Sequence, residues 1–286
     1  MTPTRLVLVT GALVAVGLAP LSGGGTAAAQ KKPKVARACG ITTIPLTVGN
    51  TWTYEPVAHP SAADLAEGAT RLYPIQPRKV VVTVTAVETA GTVTTVKLDE
   101  TTTHAVPVKE NGKDGEKLVD RTLQTTLTCT ATTLTASPES FWFAGEPGGA
   151  WNAPLSNVER KGHTFPIVAG KLDGTEWHDD VVATWARQPT AGTDAKLGAG
   201  KLELERRVVL VSDTEPVGTA AGSFTKSTKL GVETHGRVTI DGAEGKPYEL
   251  PEGLYSFYWL VDGVGVVMVH NAFIHAYQLA SFTVAK

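Results

Sequence analysis

Seven histidines are the first residues to weigh for chemistry: His59, His104, His163, His178, His235, His270 and His275. They are scattered, with no HExxH and no helical i, i+4 pair, so a zinc-protease site has no basis in their spacing. His270 and His275 come closest to a ligand pair, because a four-residue loop would set them opposite each other across a hairpin. Two imidazoles without a carboxylate or a third histidine still make a poor zinc site. His178-Asp179-Asp180 imitates an acid–base or metal cluster. On a strand, however, His178 and Asp180 point away from Asp179, and exposed polar residues account for all three. Serine offers no GxSxG elbow, and Gly222-Ser223-Phe224 lacks both the flanking glycine and the strand-to-helix setting. The carboxylate pairs Asp99-Glu100 and Glu203/Glu205 fall in charge-alternating stretches, where solvation explains them. No glycine-rich loop opens a helix, so nothing cradles a phosphate. This reading assigns no catalytic, metal-binding or cofactor-binding residue, and no cofactor.

Two cysteines remain, Cys39 and Cys129. A metal pair or a reactive thiol would need a histidine or a further cysteine within ligand spacing, and neither has one. A disulfide between Cys39 and Cys129 is the simpler use in an oxidising compartment. It would close a loop of about 90 residues, for which chain entropy gives about 4–5 kcal/mol as an upper figure. Six tryptophans, Trp52, Trp142, Trp151, Trp177, Trp185 and Trp259, are the other concentrated resource. Large aromatics most often fill cores. Phe141-Trp142-Phe143 and Trp151 flank the glycine-rich 145–149 turn, though, and could form a hydrophobic lip suited to an acyl chain or a sugar.

The elements that must position these residues are strands. Threonine and valine dominate, with period-two alternation throughout. Residues 79–88 and 92–99 read as a hairpin, and Asn111 to Gly115 as a turn. Residues 117–134 are long enough for one bent strand or two, with Val119, Leu123, Leu127 and Cys129 sharing the buried parity. Residues 177–186 set Trp177, Val181, Ala183 and Trp185 on one face. In 201–211, Leu202, Leu204, Val208 and Leu210 oppose Lys201, Glu203, Glu205 and Arg207. Residues 224–234 and 236–240 read as shorter strands, and 253–260, 264–270 and 276–284 close the chain as a meander. One short helix is expected at 61–67, with Ser61 as N-cap and Asp64 three residues on. Residues 188–200 and 241–253 read as exposed loops. In 264–269 both faces are apolar, so something must cover the second face of that strand, or the sheet must curve strongly.

The first thirty residues fix the compartment. Arg5 precedes an uncharged apolar run over 6–21, broken at 22–25, and Ala27-Ala28-Ala29 before Gln30 is a pattern that signal peptidase cuts. Gly11, Gly17 and Pro20 interrupt the run, which falls short of the roughly 20 residues a membrane span needs. Residues 1–29 therefore read as a signal peptide and 30–286 as a single all-β domain, secreted or periplasmic, with no transmembrane segment in the mature chain. The formal net charge of −2 argues against nucleic acid or an anionic membrane as partner.

Four short motifs sharpen this. They are Pro45-Leu46 with Gly49-Asn50, Trp52 and Tyr54; Ala221-Gly222 with Phe224; Trp259 with Gly263-Val264-Gly265 and Val267; and Tyr277, Leu279, Ser281-Phe282. Together they resemble a pattern of uncharacterised secreted bacterial β-sheet proteins, which are in turn similar to the LolA-like half-barrel carriers of the periplasm. The resemblance implies a large, strongly curved antiparallel sheet, half-barrel or sandwich-like, with little helix, and an apolar ligand site on its concave side. It carries over no catalytic residue. The expectation is a non-enzymatic protein that binds a lipid or acyl chain, or a cell-envelope partner. A secreted hydrolase with an unrecognised site and a carbohydrate-binding module are the alternatives.

Overall fold

The computed structural model describes residues 39, 41–57, 76–110, 113–143, 155–168, 171–172, 175–186, 188–189, 196–240, 248–249, 254–271 and 275–285. The leader, the helix expected at 61–67, the Asn111-Gly112 turn, His59 and Trp151 lie outside these residues. Alternating Val and Thr make the chain almost wholly strand: β1 (Thr51–Pro56), β2 (Lys79–Ala90), β3 (Val93–Glu110), β4 (Lys113–Cys129), β5 (Thr133–Ala136), β6 (Leu155–Gly162), β7 (Phe165–Val168), β8 (Lys171–Leu172) and β9 (Glu176–Trp185). There follow β10 (Gln188–Pro189), β11 (Lys196–Leu197), β12 (Gly200–Thr219), β13 (Gly222–Ile240), β14 (Tyr248–Glu249), β15 (Leu254–Val261), β16 (Gly265–His270) and β17 (Ala276–Thr283). Strands β10 and β11 pair with each other inside the stretch read as a loop. The rest form one antiparallel sheet in the order β6-β9-β12-β13-β15-β16-β17-β1-β2-β3-β4-β5-β7-β8, with β14 beside β13.

The sheet is open, yet its two ends lie side by side. Only His163 and Thr164 separate β6, at one end of the order, from β7 near the other. Three residue steps span at most about 10 Å, so the sheet must curl until its ends meet. The seam is stitched by backbone and side chain: His163 N donates to His178 O at 3.3 Å, and Trp177 Nε1 donates to Thr164 O. Gly162 is required there. It sits at φ 99°, and a Cβ on it would stand 2.1 Å from His178 O.

The terminal meander occupies the middle of the sheet, between β13 and β1, on the same sheet as Trp52. Its second face is covered by the far half of the β12–β13 hairpin, which bends at register shifts between Leu210 and Val217. The hairpin tip binds β17 through Ala221 N to Leu279 O at 2.9 Å and Ala220 N to Gln278 Oε1 at 3.1 Å. Glu215 on this arm accepts from Trp259 Nε1 at 3.0 Å and Lys229 Nζ at 3.3 Å, and Lys229 lies 4.7 Å from the Trp259 ring centre. Val217, Ala221 and Phe224 join the main core. The hairpin therefore supplies the cover that the two-faced apolar pattern calls for.

Cys129 is buried at the end of β4, as its parity requires, and the structure joins it to Cys39 with a Cα–Cα distance of 5.6 Å. Non-reducing peptide mapping of the protein purified under oxidising conditions is expected to recover one linked Cys39–Cys129 peptide. Two alkylatable thiols in that preparation would overturn the assignment.

Candidate functional site

The resemblance motifs meet in space, and what they do there is fasten the sheet. Trp52 and Tyr54 share the inner face of β1, both fully buried. Trp52 Nε1 donates to Val264 O at 2.6 Å and the Tyr54 hydroxyl to Val266 O at 2.7 Å. Asn50 links β2 to the chain end, with Val84 N donating to its carbonyl and Ala285 N to its Oδ1. The hairpin-tip contact with β17 described above unites the remaining two motifs. Each makes a join in the sheet.

The inner face is filled by residues 137–143, which follow β5. Trp142 stacks edge-on against Trp52 at 4.8 Å, and its Nε1 donates to the Tyr54 hydroxyl at 2.8 Å. Phe141 packs on Tyr54 and Tyr277, and Phe143 on Phe165 and Tyr258. The triplet is thus a plug in the core and not a lip, in line with the reading that large aromatics most often fill cores. Trp142 and Phe143 are buried because the curled sheet needs large side chains to fill its interior. Burial pushes the Tyr54 and Tyr277 hydroxyls well above the usual phenol range.

A carboxyl holds this plug in place. Glu100 lies on the inner face of β3, buried, and not in the solvated setting that its neighbour Asp99 suggested. It accepts from Thr125 Oγ1 at 2.8 Å, Ser140 Oγ at 2.7 Å and Phe141 N at 2.7 Å. Burial pushes it up to about 7 against those three donors, and the charge of Glu139 adds to the rise. Glu139 is also buried and pushed up by burial, and its Oε2 has no hydrogen-bond partner among the described residues.

The seam carries a second buried cluster. Asp179, 1% exposed, takes both oxygens' worth of Arg160 Nη1 at 2.8 and 2.9 Å and Arg206 Nη2 at 2.8 Å, with Thr164 Oγ1 at 3.2 Å. The β9–β12 ladder skips Glu205 and Arg206, and Arg206 Nε donates instead to Asp179 O. Thr164 also accepts from Ala136 N of β5, so one cluster ties both ends of the sheet. Of His178-Asp179-Asp180, expected to be exposed together, His178 is exposed, Asp180 half-buried and Asp179 buried.

The opposite, outward face of β6, β9, β12 and β13 holds an open groove of about 600 Å3. Glu159, Lys161, Asp180, Val182, Glu203, Glu205, His235 and Arg237 line it, and Gly236 leaves room at one side. Glu203 is drawn down to about 2 by hydrogen bonds from Arg237 and then Lys201. Glu159, Asp180 and Glu205 have no ion-pair partner among the described residues.

The histidines do not converge. His270 pairs with Ala276, not His275, and packs its ring on Trp259 at 5.0 Å. His104 is buried beside Thr102, and His178 and His235 are exposed on the outward face. Among the described residues no three His, Cys, Asp or Glu side chains group as metal ligands.

No protein-family model and no curated protein matches this chain. Two solved structures are similar to it. One is a Bacteroides fragilis NCTC 9343 protein described as exported with a YmcC-like fold, at 14% identity and TM-score 0.42. The other is a Parabacteroides distasonis ATCC 8503 protein described as a lipoprotein, at 12% identity and TM-score 0.41. Each alignment covers 85% of this chain and 99% of the other. Likeness of this degree assigns neither ligand nor activity.

Proposed function

We propose that this is a secreted or periplasmic, non-enzymatic binding protein that uses its outward groove to hold a cationic segment or amine of a cell-envelope partner. The leader at 1–29 supports the compartment. The observation that carries the binding reading is the open groove of about 600 Å3, lined by Asp180 of β9 and Glu205 of the neighbouring β12, neither with an ion-pair partner among the described residues. Glu159, Asp180 and Glu205 outnumber Lys161, the lining cation that has no ion-pair partner among the described residues, so the open cavity attracts a cation and adds a salt-sensitive on-rate. The likeness to LolA-like carriers would favour an apolar ligand on the inner face. Phe141, Trp142 and Phe143 occupy that face, so a lipid would have to displace them.

Calorimetric titration with a lysine-rich peptide is expected to show saturable binding that weakens as salt is raised. The double variant Asp180→Asn, Glu205→Gln should bind at least about tenfold more weakly while keeping its unfolding midpoint. A glutamate-rich peptide of the same length should not bind. No saturable binding, or binding that ignores the double substitution, would overturn the reading. Saturable quenching of tryptophan fluorescence by a fatty acid would replace it with the carrier reading.

A further inference from the structure

We propose that Glu100 and Glu139 form a proton-operated latch that sets how firmly residues 137–143 sit against the inner face, tightening on acidification. The argument begins with connectivity. Among the described residues, 137–143 have no backbone bond to a strand beyond Ser137 N to Thr126 O, so side chains must hold them. On the β3–β4 side the hold is Glu100, which takes the Ser140 hydroxyl and the Phe141 N–H on its two oxygens. On the seam side it is Arg206 Nη1, which donates to Phe143 O at 3.4 Å. The aromatic side chains of the segment then follow the backbone into the core.

The Glu100 seat suits a neutral carboxyl better than an anion. It is buried, its hydrogen-bond donors among the described residues are the neutral Thr125, Ser140 and Phe141 N–H, and the neighbouring Glu139 carboxyl is buried with one oxygen unpartnered among them. The Thr125 and Ser140 hydroxyls can turn and accept a proton from Glu100, so protonation loses no hydrogen bond. Ionisation instead puts a charge in the core beside a second carboxyl, where desolvation and repulsion both oppose it. The other charged or titratable groups facing this region are Tyr54 of β1, His104 of β3 and Arg121 of β4. At the seam they are Arg160, Asp179 and Arg206, and Arg160 draws on Glu139 while Asp179 neutralises it.

The direction follows from linkage. Burial holds Glu100 at about 7, above the ordinary carboxylate value of 4.5 toward which water would return it on release of the segment. The seated state therefore holds the extra proton between those values. Its advantage is complete below about pH 4.5 and is lost as pH rises through about 7.

Hydrogen exchange on the full mature chain, read by mass spectrometry on peptides spanning 137–143, tests this. After correction for intrinsic exchange, opening of the segment should rise about tenfold per pH unit between about pH 5 and 7 and level off above. Peptides from β1 and β15 should not follow. Glu100→Gln, which keeps shape and hydrogen bonds but cannot ionise, should hold the low-pH rate throughout. Glu139→Gln should move the rise to lower pH by removing the repulsion. A pH-independent wild type, or a Glu100→Gln profile with the wild-type slope, overturns the latch. If Glu100→Gln does not fold, the wild-type profile and the Glu139→Gln shift decide alone.

Discussion

Ending the chain before Tyr277 is expected to abolish cooperative unfolding altogether, not to lower the midpoint by a few degrees. Strand β17 is not a trailing edge. It lies between β16 and β1, so removing it cuts the hydrogen-bonded order into two pieces that share no ladder. Tyr277 and Leu279, both buried, would leave the core, and with them the ring contact that steadies Phe141. The β12–β13 hairpin would lose Leu279 O and Gln278 as the anchors of its tip, exposing the outward faces of Trp259 and Met268. The two halves would meet only at the seam and through residues 137–143. Losing two ladders and a core layer together exceeds the whole stability of an ordinary domain, roughly 5–15 kcal/mol. Thermal melting followed by near-ultraviolet dichroism checks this. A single sharp transition near the full-length midpoint would show that the sheet does not depend on β17.

The strands were legible because their inward positions are apolar and their outward ones are Thr, Lys and Glu. That pattern placed Trp52 and Tyr54 together, Cys129 inward and the meander in the main sheet. It failed where a charged residue takes an inward position. The stretch read as ending at Asp99 continues to Glu110, and Glu100, read with Asp99 as a solvated carboxylate pair, is buried under Ser140. Residues 224–240 were split at Gly236, yet β13 runs unbroken through it, since Gly236 lets Glu203 O approach within 2.0 Å of where a Cβ would stand. Arg206 sits on the leucine face of β12, and alternation alone gives no reason to bury it. Its partner Asp179 is 27 residues away, and Arg160 reaches the same carboxylate from the opposite strand. Register brings the three together, and single-strand periodicity does not encode register between strands. The plug was harder still. An aromatic triplet beside a glycine-rich turn has the same composition whether it lines a mouth or fills a core. Only the curl of the sheet, itself set by the two-residue link from β6 to β7, decides which.

Asp179→Ala should be the most damaging single substitution in the chain, at about 3–5 kcal/mol. Asp179 and Arg206 are each about 2% exposed at the side chain, so water cannot replace the lost carboxylate. Two guanidiniums would stay behind in the seam with only the Glu139 charge nearby. Breaking a buried ion pair from one side costs more than the pair contributes, because the surviving charge keeps its desolvation penalty. Arg160→Ala should cost less, since Arg160 is partly exposed and Asp179 keeps Arg206. Joint replacement separates charge from architecture. Asp179→Leu with Arg206→Met removes opposite charges together, and buried pairs so replaced by apolar groups are often neutral in stability. Recovery here should nevertheless be partial, because Arg160 stays in the seam without its carboxylate, Arg206 Nε also stands in for the missing ladder bond to Asp179 O, and the Asp179 carboxylate holds Thr164 in the seam. Urea unfolding of the three variants reads these differences as midpoints at constant slope. An Asp179→Ala loss below about 1 kcal/mol, no larger than that of a surface pair, would mean that the seam is held by backbone and aromatic packing alone.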